Sequence, residues 1–226
     1  MVGAQVTYPV FITCRDRLTG LTELLAWLER VGLGEVYLID NDSRWEPLLE
    51  LYETTSHTVI RTGSNAGHTT PWTSGIIARY ARRRRFIVTD PDIVPCEDCP
   101  DDAVDRMAAV LDKDSQAVKC GFGLKIDDLP EWCRDGMQKW EAPFWQRFDS
   151  RIGAYRAPID TTFALHSAKS GVRHRYKPAW RLPAPYLARH LPWYSDPSQL
   201  TTEDEHYIAR ADHKVSNWAR YVMENA

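Results

Sequence analysis

Two carboxylates, Asp90 and Asp92, follow the apolar run Phe86–Val88 after a single threonine and are separated only by Pro91. In an extended segment, side chains at positions i and i+2 point the same way. Proline also favours extended geometry in the residue before it. Two carboxylates facing one point repel each other unless a cation lies between them. The pattern predicts a site for Mg²⁺ or Mn²⁺, which prefer oxygen ligands. The alternative is a turn in which Asp and Pro only end a strand.

Alternating strands and helices are predicted for the first half of the chain. Apolar runs predict four strands: Val10–Ile12, Val36–Ile39, His57–Ile60 and Phe86–Thr89. Helices are predicted from the leucine spacing of Leu18–Val31, from a capping-box pattern at Ser43–Glu46, and over Trp72–Arg83. Short apolar strands that alternate with helices are typical of a parallel α/β sheet covered on both faces.

Polar residues follow each of the four predicted strands. The segments are Thr13–Asp16, Asp40–Ser43, Arg61–His68 and Asp90–Asp92. In open α/β sheets, ligands bind at the carboxyl ends of the strands. Four polar ends on one sheet edge therefore predict a ligand site there, although the loops of such sheets are polar in any case.

The second half of the chain is less regular. The patterns predict a helix at Asp101–Leu111, strands at Ala117–Leu124 and Ile159–His166, and a helix at Thr201–Arg210 capped by Thr201 or Thr202. Between the last two elements lies a basic segment rich in proline. No internal repeat or linker divides the chain, so one domain over residues 1–226 is expected.

Four motifs together resemble the nucleotide-sugar half of the GT-A glycosyltransferases, most of all those of the family 2 type. They are Thr13-Cys-Arg15, Asp40-Asn-Asp-Ser43, Asn65-Ala-Gly67 and Asp90-Pro-Asp92. The resemblance covers about residues 7–125 clearly and the rest loosely. It implies a GT-A-like, Rossmann-type fold with a mostly parallel sheet flanked by helices. Residues from about 1 to 125 would form the half that binds the nucleotide-sugar and the metal. Residues from about 126 to 226 would form the half that binds the acceptor.

The resemblance also implies roles for individual residues in binding the nucleotide-sugar. Thr13 and Arg15 would line the nucleotide pocket, and Asp40 with Asn41 would contact the base or ribose. Asn65 and Gly67 would pass close to the ribose or diphosphate. A glycine at such a position allows close backbone approach to a phosphate.

The metal ligands implied by the resemblance are the two carboxylates and a late histidine. Asp92 would bind Mn²⁺ or Mg²⁺ directly, and Asp90 would contact the ribose, the sugar or the metal. His190 would be a third ligand, although a hydrogen-bonded structural histidine is the alternative. Next to it, Pro192-Trp193-Tyr194 could form a stacking wall for a sugar ring. His68, Trp72 and Trp140 are further candidates for the sugar pocket.

An inverting transfer needs a carboxylate that takes the proton of the acceptor hydroxyl. Asp160 is the first choice, because it precedes an apolar run beside two threonines. Glu203 and Asp204 follow closely, because "TTEDEHYIAR" resembles the Glu-Asp helix motif of family 2 enzymes. Glu141 is the fourth candidate. For each of them, a solvated or capping acid is the alternative.

The distribution of charged residues indicates what kind of acceptor the protein would bind. The net charge of −3 and pI near 6.2 give no overall attraction to nucleic acid. Two basic segments stand out locally: the helix-end block Arg82–Arg85, and a second group formed by Arg173, His174, Arg175, Lys177, Arg181 and Arg189. The first is explained at least partly by a helix C-terminus. The second lies where an acceptor should bind, so an anionic acceptor is expected.

Cysteine content and hydropathy indicate the compartment. Five cysteines in no regular frame indicate a reducing environment. Cys96 and Cys99 are expected to be free thiols in a loop, because a zinc site would need further ligands nearby. No apolar run approaches membrane-spanning length. A cytoplasmic protein is expected.

The sequence therefore predicts a metal-dependent glycosyltransferase. It would move a sugar from a nucleoside-diphosphate-sugar, for which a UDP-sugar is the first choice, to a hydroxyl acceptor with inversion at the anomeric carbon. One alternative is a sugar-1-phosphate nucleotidyltransferase, although Cys14–Arg17 lacks the glycine-rich loop expected after its first strand. Another is a nucleic-acid-binding module, or a glycosyltransferase acting on modified nucleic-acid bases.

Overall fold

Strands and helices alternate along the first half of the chain in the computed structural model, which describes residues 7–171 and 173–211. The strands are β1 Val10–Cys14, β2 Val36–Asp40, β3 Thr58–Arg61, β4 Phe86–Thr89, β5 Ile93–Pro95, β6 Lys119–Gly121, β7 Gly123–Leu124, β8 Phe148–Asp149, β9 Ala154–Arg156, β10 Ala164–His166, β11 Ala179–Arg181 and β12 Leu187–His190. The helices are α1 Thr19–Arg30, α2 Glu46–Thr54, α3 Thr70–Thr73, α4 Ile76–Tyr80, α5 Ala103–Lys113, α6 Glu131–Glu141 and α7 Thr202–Arg210. Short 3₁₀ turns cover Ala142–Trp145, Ala168–Gly171 and Leu191–Tyr194.

Nine strands form one sheet in the order β3-β2-β1-β4-β10-β6-β11-β9-β8. The first four strands of the chain are parallel, with Val10 opposite Val36 on β2 and opposite Ile87 on β4. Their carboxyl ends therefore lie at one edge, as the sequence predicted. This mixed α/β arrangement agrees with the predicted fold class.

The second half of the chain departs from the predicted mostly parallel sheet. β10 runs antiparallel between β4 and β6, and β9 is antiparallel to both β11 and β8. A separate three-stranded sheet in the order β5-β12-β7 lies after the Asp90–Asp92 segment. Its strands are only two to four residues long, and such short runs carry little periodic signal in the sequence.

Apolar residues cover both faces of the parallel strands. Along β1, Val10 and Ile12 belong to a large cluster with residues of α1, α2 and α5. Phe11 points to the opposite face and packs with a smaller cluster that includes Trp72 of α3 and Ile77 of α4. This alternation follows from the two-residue period of a strand.

The predicted helix over Trp72–Arg83 is interrupted. α3 ends at Thr73, Gly75 has a left-handed φ of 76°, and α4 ends at Tyr80. Arg82 and Arg83 also have positive φ values, of 47° and 65°. A continuous helix was therefore the wrong prediction, because Gly75 allows the left-handed turn that ends α3.

Three other boundaries differ from prediction. The Ala117–Leu124 run divides into β6 and β7, which join different sheets. The Ile159–His166 run forms a strand only from Ala164. Ser43 does not cap α2; its hydroxyl accepts the backbone N–H of Asp16. The capping interpretation failed because a residue distant in sequence uses that hydroxyl.

The last helix was predicted correctly. Thr201 caps α7, and a full capping box joins it to Asp204. All five cysteines are free and buried, Cys96 and Cys99 among them. Within the ranges described, the chain has no helix of sufficient length and apolar character to span a membrane.

Candidate active site

Asp90 is fixed at the end of β4 by the segment that leads into β10. Its backbone N–H donates to the Thr161 carbonyl at 3.1 Å, and its Oδ2 accepts from Thr161 Oγ1 at 2.5 Å. Burial, together with the charge of neighbouring Asp92, raises the pKa of Asp90 well above its usual range. The two carboxylates thus influence each other, as their spacing predicted.

Asp92 faces His190 across the small sheet. His190 lies opposite Ile93 in the β5–β12 pair, and its Nε2 is 3.8 Å from Asp92 Oδ1. Among the described residues, Asp92 Oδ1 has no hydrogen-bond partner and is shielded from solvent. Burial lowers the pKa of His190, which favours the neutral imidazole that binds metals.

Asp90, Asp92 and His190 are candidate ligands for a divalent cation, although in the described structure their ligand atoms do not all lie within 4.8 Å of one another. A buried carboxylate oxygen without a donor is costly, and Asp90, Asp92 and His190 offer oxygen and nitrogen ligands on neighbouring elements. Asp90 and Asp92 are hard donors of the kind that Mg²⁺ and Mn²⁺ prefer.

Close packing holds the Asp90–Asp92 segment against α1. A Cβ atom built on Gly20 would lie 2.8 Å from the Pro91 carbonyl oxygen and 3.0 Å from the Asp92 Cα. Only glycine lets the helix approach this closely. The position of Asp92 is therefore set by α1 as well as by β4.

The end of β1 carries two more buried polar atoms without partners in the described chain. They are Thr13 Oγ1 and Arg15 Nε. Arg15 Nη2 donates to the Arg210 carbonyl at 2.9 Å, which ties this edge to the end of α7. Because β1 and β4 are neighbours in the sheet, these atoms lie at the same edge as Asp92.

Asp40 and Asn41, at the end of β2, are buried within the protein's own hydrogen bonds. Asp40 Oδ1 accepts from the Ser43 N–H and from the Tyr52 hydroxyl. Asn41 organises the next loop through Asn65 Oδ1, the Ala66 N–H, the Gly67 carbonyl and Thr70 Oγ1. Their predicted contacts with a nucleotide, and those of Asn65 and Gly67, stay a prediction.

Glu203 and Asp204 both contact the start of the α1 region. Glu203 Oε2 accepts from the N–H groups of Leu18 and Thr19 and from the Thr19 hydroxyl. Asp204 is buried, pairs with Arg17 at 2.6 Å and completes the capping box of α7. Both acids act as structural acceptors in this state of the protein.

Glu141 and Asp160 differ sharply in exposure. Glu141 is 2% exposed and pairs with the buried Arg181 at 2.7 Å. Asp160 is exposed in the loop before β10, directly before Thr161, and no described residue donates a hydrogen bond to its carboxylate. Of the four candidate bases, Asp160 has the carboxylate most available to a substrate.

Lys119 is a buried charge that the sequence reasoning missed. Its Nζ donates to the Asp160 carbonyl at 2.7 Å and lies 3.2 Å from His174 Nε2. Burial lowers the pKa of Lys119 to about 7, although Asp160 acts in the opposite direction. Burial likewise lowers the pKa of His174 to about 4. The available signal was a lysine inside the apolar run 117–124.

The aromatic candidates lie in different environments. Trp193 packs edge-to-face on His190 with ring centroids 4.9 Å apart, whereas Trp140 is 63% exposed on α6. Trp72 is buried and packs against His174 at 4.7 Å. The hydroxyl of Tyr194 donates to Asp128. Trp193 is thus the member of the predicted stacking wall that adjoins the candidate metal ligands.

The arginine block lies at the opposite edge of the sheet, since it precedes the first residue of β4. Arg84 pairs with Glu35 through two nitrogens, and Arg85 pairs with Asp112. In the second basic group, Arg181 pairs with Glu141 and Arg189 with Asp128. The exposed members of this group are Arg173, Arg175 and Lys177, on the loop that contributes His174.

Comparisons with known proteins give no family assignment. No protein-family model matches the chain, and no curated protein matches it. Among solved structures, it is similar to HddC from Yersinia pseudotuberculosis complexed with GMP-PN. That similarity has a TM-score of 0.47 and 14% identity and covers 81% of this chain and 89% of that one. A similarity this weak supports no conclusion about function, so the function is inferred from the residues of the site.

Proposed function

We propose that this chain is a metal-dependent glycosyltransferase of the GT-A type, using a nucleoside-diphosphate-sugar, most simply a UDP-sugar. One observation carries the proposal. Thr13 Oγ1, Arg15 Nε and Asp92 Oδ1 are buried polar atoms at the ends of two adjacent parallel strands, and none has a hydrogen-bond partner in the described chain. Since buried polar atoms normally have partners, a polar ligand and a cation account for all three.

Asp90, Asp92 and His190 are the residues that would hold the cation. When bound, Mn²⁺ or Mg²⁺ supplies positive charge that stabilises a departing diphosphate. Thr161 positions Asp90 through its hydroxyl. Thr13 and Arg15 would complete the pocket for the nucleotide, with Arg15 as a donor to phosphate or carbonyl oxygens.

Asp160 is the proposed general base. It takes the proton from the acceptor hydroxyl as that oxygen attacks the anomeric carbon, while the bond to the diphosphate breaks on the opposite side. This geometry gives inversion. Asp160 and the Asp90 anchor Thr161 are adjacent in sequence, which brings the base close to the donor site.

The acceptor proposed for this site is a hydroxyl compound that carries negative charge. Arg173, Arg175 and Lys177 are exposed on the loop that also contributes His174. His174 in turn lies close to Asp160, because both contact Lys119. Exposed cations of this kind attract anionic groups through their charge.

A thermal-shift screen of nucleoside diphosphates and their sugars, with and without Mn²⁺, tests the proposal. A ligand at a hundred times its Kd should add about 2.7 kcal/mol of stability. We expect a shift with UDP or a UDP-sugar that needs the metal and is lost in Thr13→Val. The matched control is Thr22→Val, which alters an exposed threonine on α1.

Two outcomes would contradict this function. One is the absence of a shift with every nucleotide. The other is metal-dependent pyrophosphate release from a nucleoside triphosphate and a sugar 1-phosphate, which would favour the nucleotidyltransferase alternative.

A further inference from the structure

A second group of metal-ligating side chains lies apart from Asp92. His68, Asp160 and His174 each offer one ligand atom, and these atoms lie within 4.8 Å of one another. Over residues 7–171 and 173–211, no other set of three His, Cys, Asp or Glu side chains comes this close together. The three residues belong to three separate loops, which precede α3, β10 and β11.

Aromatic and polar contacts hold these loops together. Tyr176 contacts both histidines: its hydroxyl is 3.4 Å from His68 Nε2, and its ring packs edge-to-face on His174. Trp72 packs against His174, and their ring centroids are 4.7 Å apart. Lys119 contacts both Asp160, through its carbonyl, and His174 Nε2. Asp160 is exposed, and His68 and His174 are only partly buried, so the cluster lies at the surface, with His174 held by the buried side chains of Lys119 and Trp72.

We propose that His68, Asp160 and His174 form a transition-metal site that takes Zn²⁺ or a cation of similar chemistry. Two imidazoles and one carboxylate suit Zn²⁺, whereas Mg²⁺ and Mn²⁺ prefer oxygen donors. Three protein ligands leave the fourth position of a tetrahedral zinc ion open to water or substrate.

The geometry requires only small side-chain movements. Zinc bonds of about 2.0–2.2 Å place tetrahedral ligands roughly 3.4 Å apart. The ligand atoms are now at most 4.8 Å apart, so rotations about side-chain bonds suffice.

This inference goes beyond the proposed function and can be tested without it. The two metal sites share no ligand, since the first uses Asp90, Asp92 and His190. Asp160 is the base in one proposal and a zinc ligand in the other, so sugar transfer is measured in the zinc-free protein with Mn²⁺. Binding of Zn²⁺ alone is the measured quantity, and neither donor nor acceptor is needed. A protein that binds Zn²⁺ but transfers no sugar would contradict only the function proposed above.

The experiment titrates the metal-free full-length protein with Co²⁺ and then with Zn²⁺. We expect one Co²⁺ per chain to show the strong d–d absorption of a four- or five-coordinate ion and to be displaced by Zn²⁺, apart from any Co²⁺ bound at Asp90, Asp92 and His190. His68→Ala and His174→Ala should each weaken Zn²⁺ binding more than about 100-fold, beyond the loss typical of an outer contact. Asp92→Asn and the distant His57→Ala should leave it unchanged.

Several results would overturn the proposal. These are no Zn²⁺ binding, unchanged affinity in both histidine variants, or a thiolate-to-cobalt charge-transfer band, which would place the ion on cysteine instead. Circular dichroism checks that the variants are folded. If they are not, the imidazole NMR signals of the wild type decide: Zn²⁺ must shift those of His68 and His174, and unshifted signals contradict the site.

Discussion

Asp90 and Asp92 after β4, and Glu203 and Asp204 of α7, are all at least partly buried, yet Asp92 and Glu203 use their oxygen atoms in opposite ways. Glu203 Oε2 accepts three hydrogen bonds from Leu18 and Thr19. Asp92 Oδ1 has no donor in the described chain and faces His190. Buried oxygens whose donors are already present stabilise the fold, whereas an oxygen that lacks them is left for a ligand.

The same comparison separates the candidate bases. Asp204 and Glu141 each pair with a buried arginine, Arg17 and Arg181 respectively. Asp160 alone among the four is exposed. A Glu-Asp pair on a helix therefore resembles a catalytic motif in sequence while its side chains serve to attach α7 to α1.

The largest effect expected from this comparison is on turnover. Asp160→Asn should lower kcat by about 10²–10⁴-fold, the usual contribution of a general base. Glu203→Gln should change kcat less than about tenfold, because its carboxylate is occupied by α1. Steady-state kinetics on both variants check this. Equal losses in the two would remove the distinction between the regions.

A second effect is expected on stability. Asp204→Asn removes the nearer of the two carboxylates that face the buried Arg17, which keeps Glu203 at 3.9 Å, and should cost about 3 kcal/mol of unfolding free energy. Chemical denaturation measures this. An exposed ion pair gives the matched control. Arg61→Gln removes the positive charge that pairs with Glu53 and should cost less than about 1 kcal/mol of unfolding free energy. If Asp204→Asn were as mild as that control, α7 would not be attached in the way described.

The smallest effect concerns pH. Burial and the charge of Asp92 raise the pKa of Asp90. Protons therefore compete with a cation for this carboxylate at a higher pH than they would for an ordinary aspartate. The affinity for Mn²⁺ should fall as the pH falls below this raised pKa, by up to about tenfold per unit for one displaced proton. It should level off above it. Calorimetric titrations across pH measure the profile, and a flat one would exclude Asp90 as a ligand.

Much of the parallel half of the fold could be predicted from sequence. Apolar runs located β1 to β4, and the alternation with helices placed their polar ends at one edge. The helix over Trp72–Arg83 was wrong because Gly75 adopts a left-handed conformation. The mixed strand directions of the second half were missed, because two- and three-residue strands have no readable period.

Predicting the site was harder, because its chemistry depends on contacts between residues far apart in sequence. The spacing of Asp90 and Asp92 predicted two interacting carboxylates. No local pattern indicated that Lys119 contacts both Asp160 and His174. Nor could spacing reveal that Glu203 accepts from residues 185 and 184 positions away. Such roles follow only from the folded chain.

The most direct test of the central claim is sugar transfer, or slow sugar-nucleotide hydrolysis, measured with and without Mn²⁺ in Asp92→Asn and the wild type. We expect the wild-type activity to disappear with chelator. In Asp92→Asn we expect activity to fall by more than about 10²-fold, because charge stabilisation of the leaving group is lost, while the melting temperature is preserved. Full activity in the variant, or in wild type with excess chelator, would contradict it.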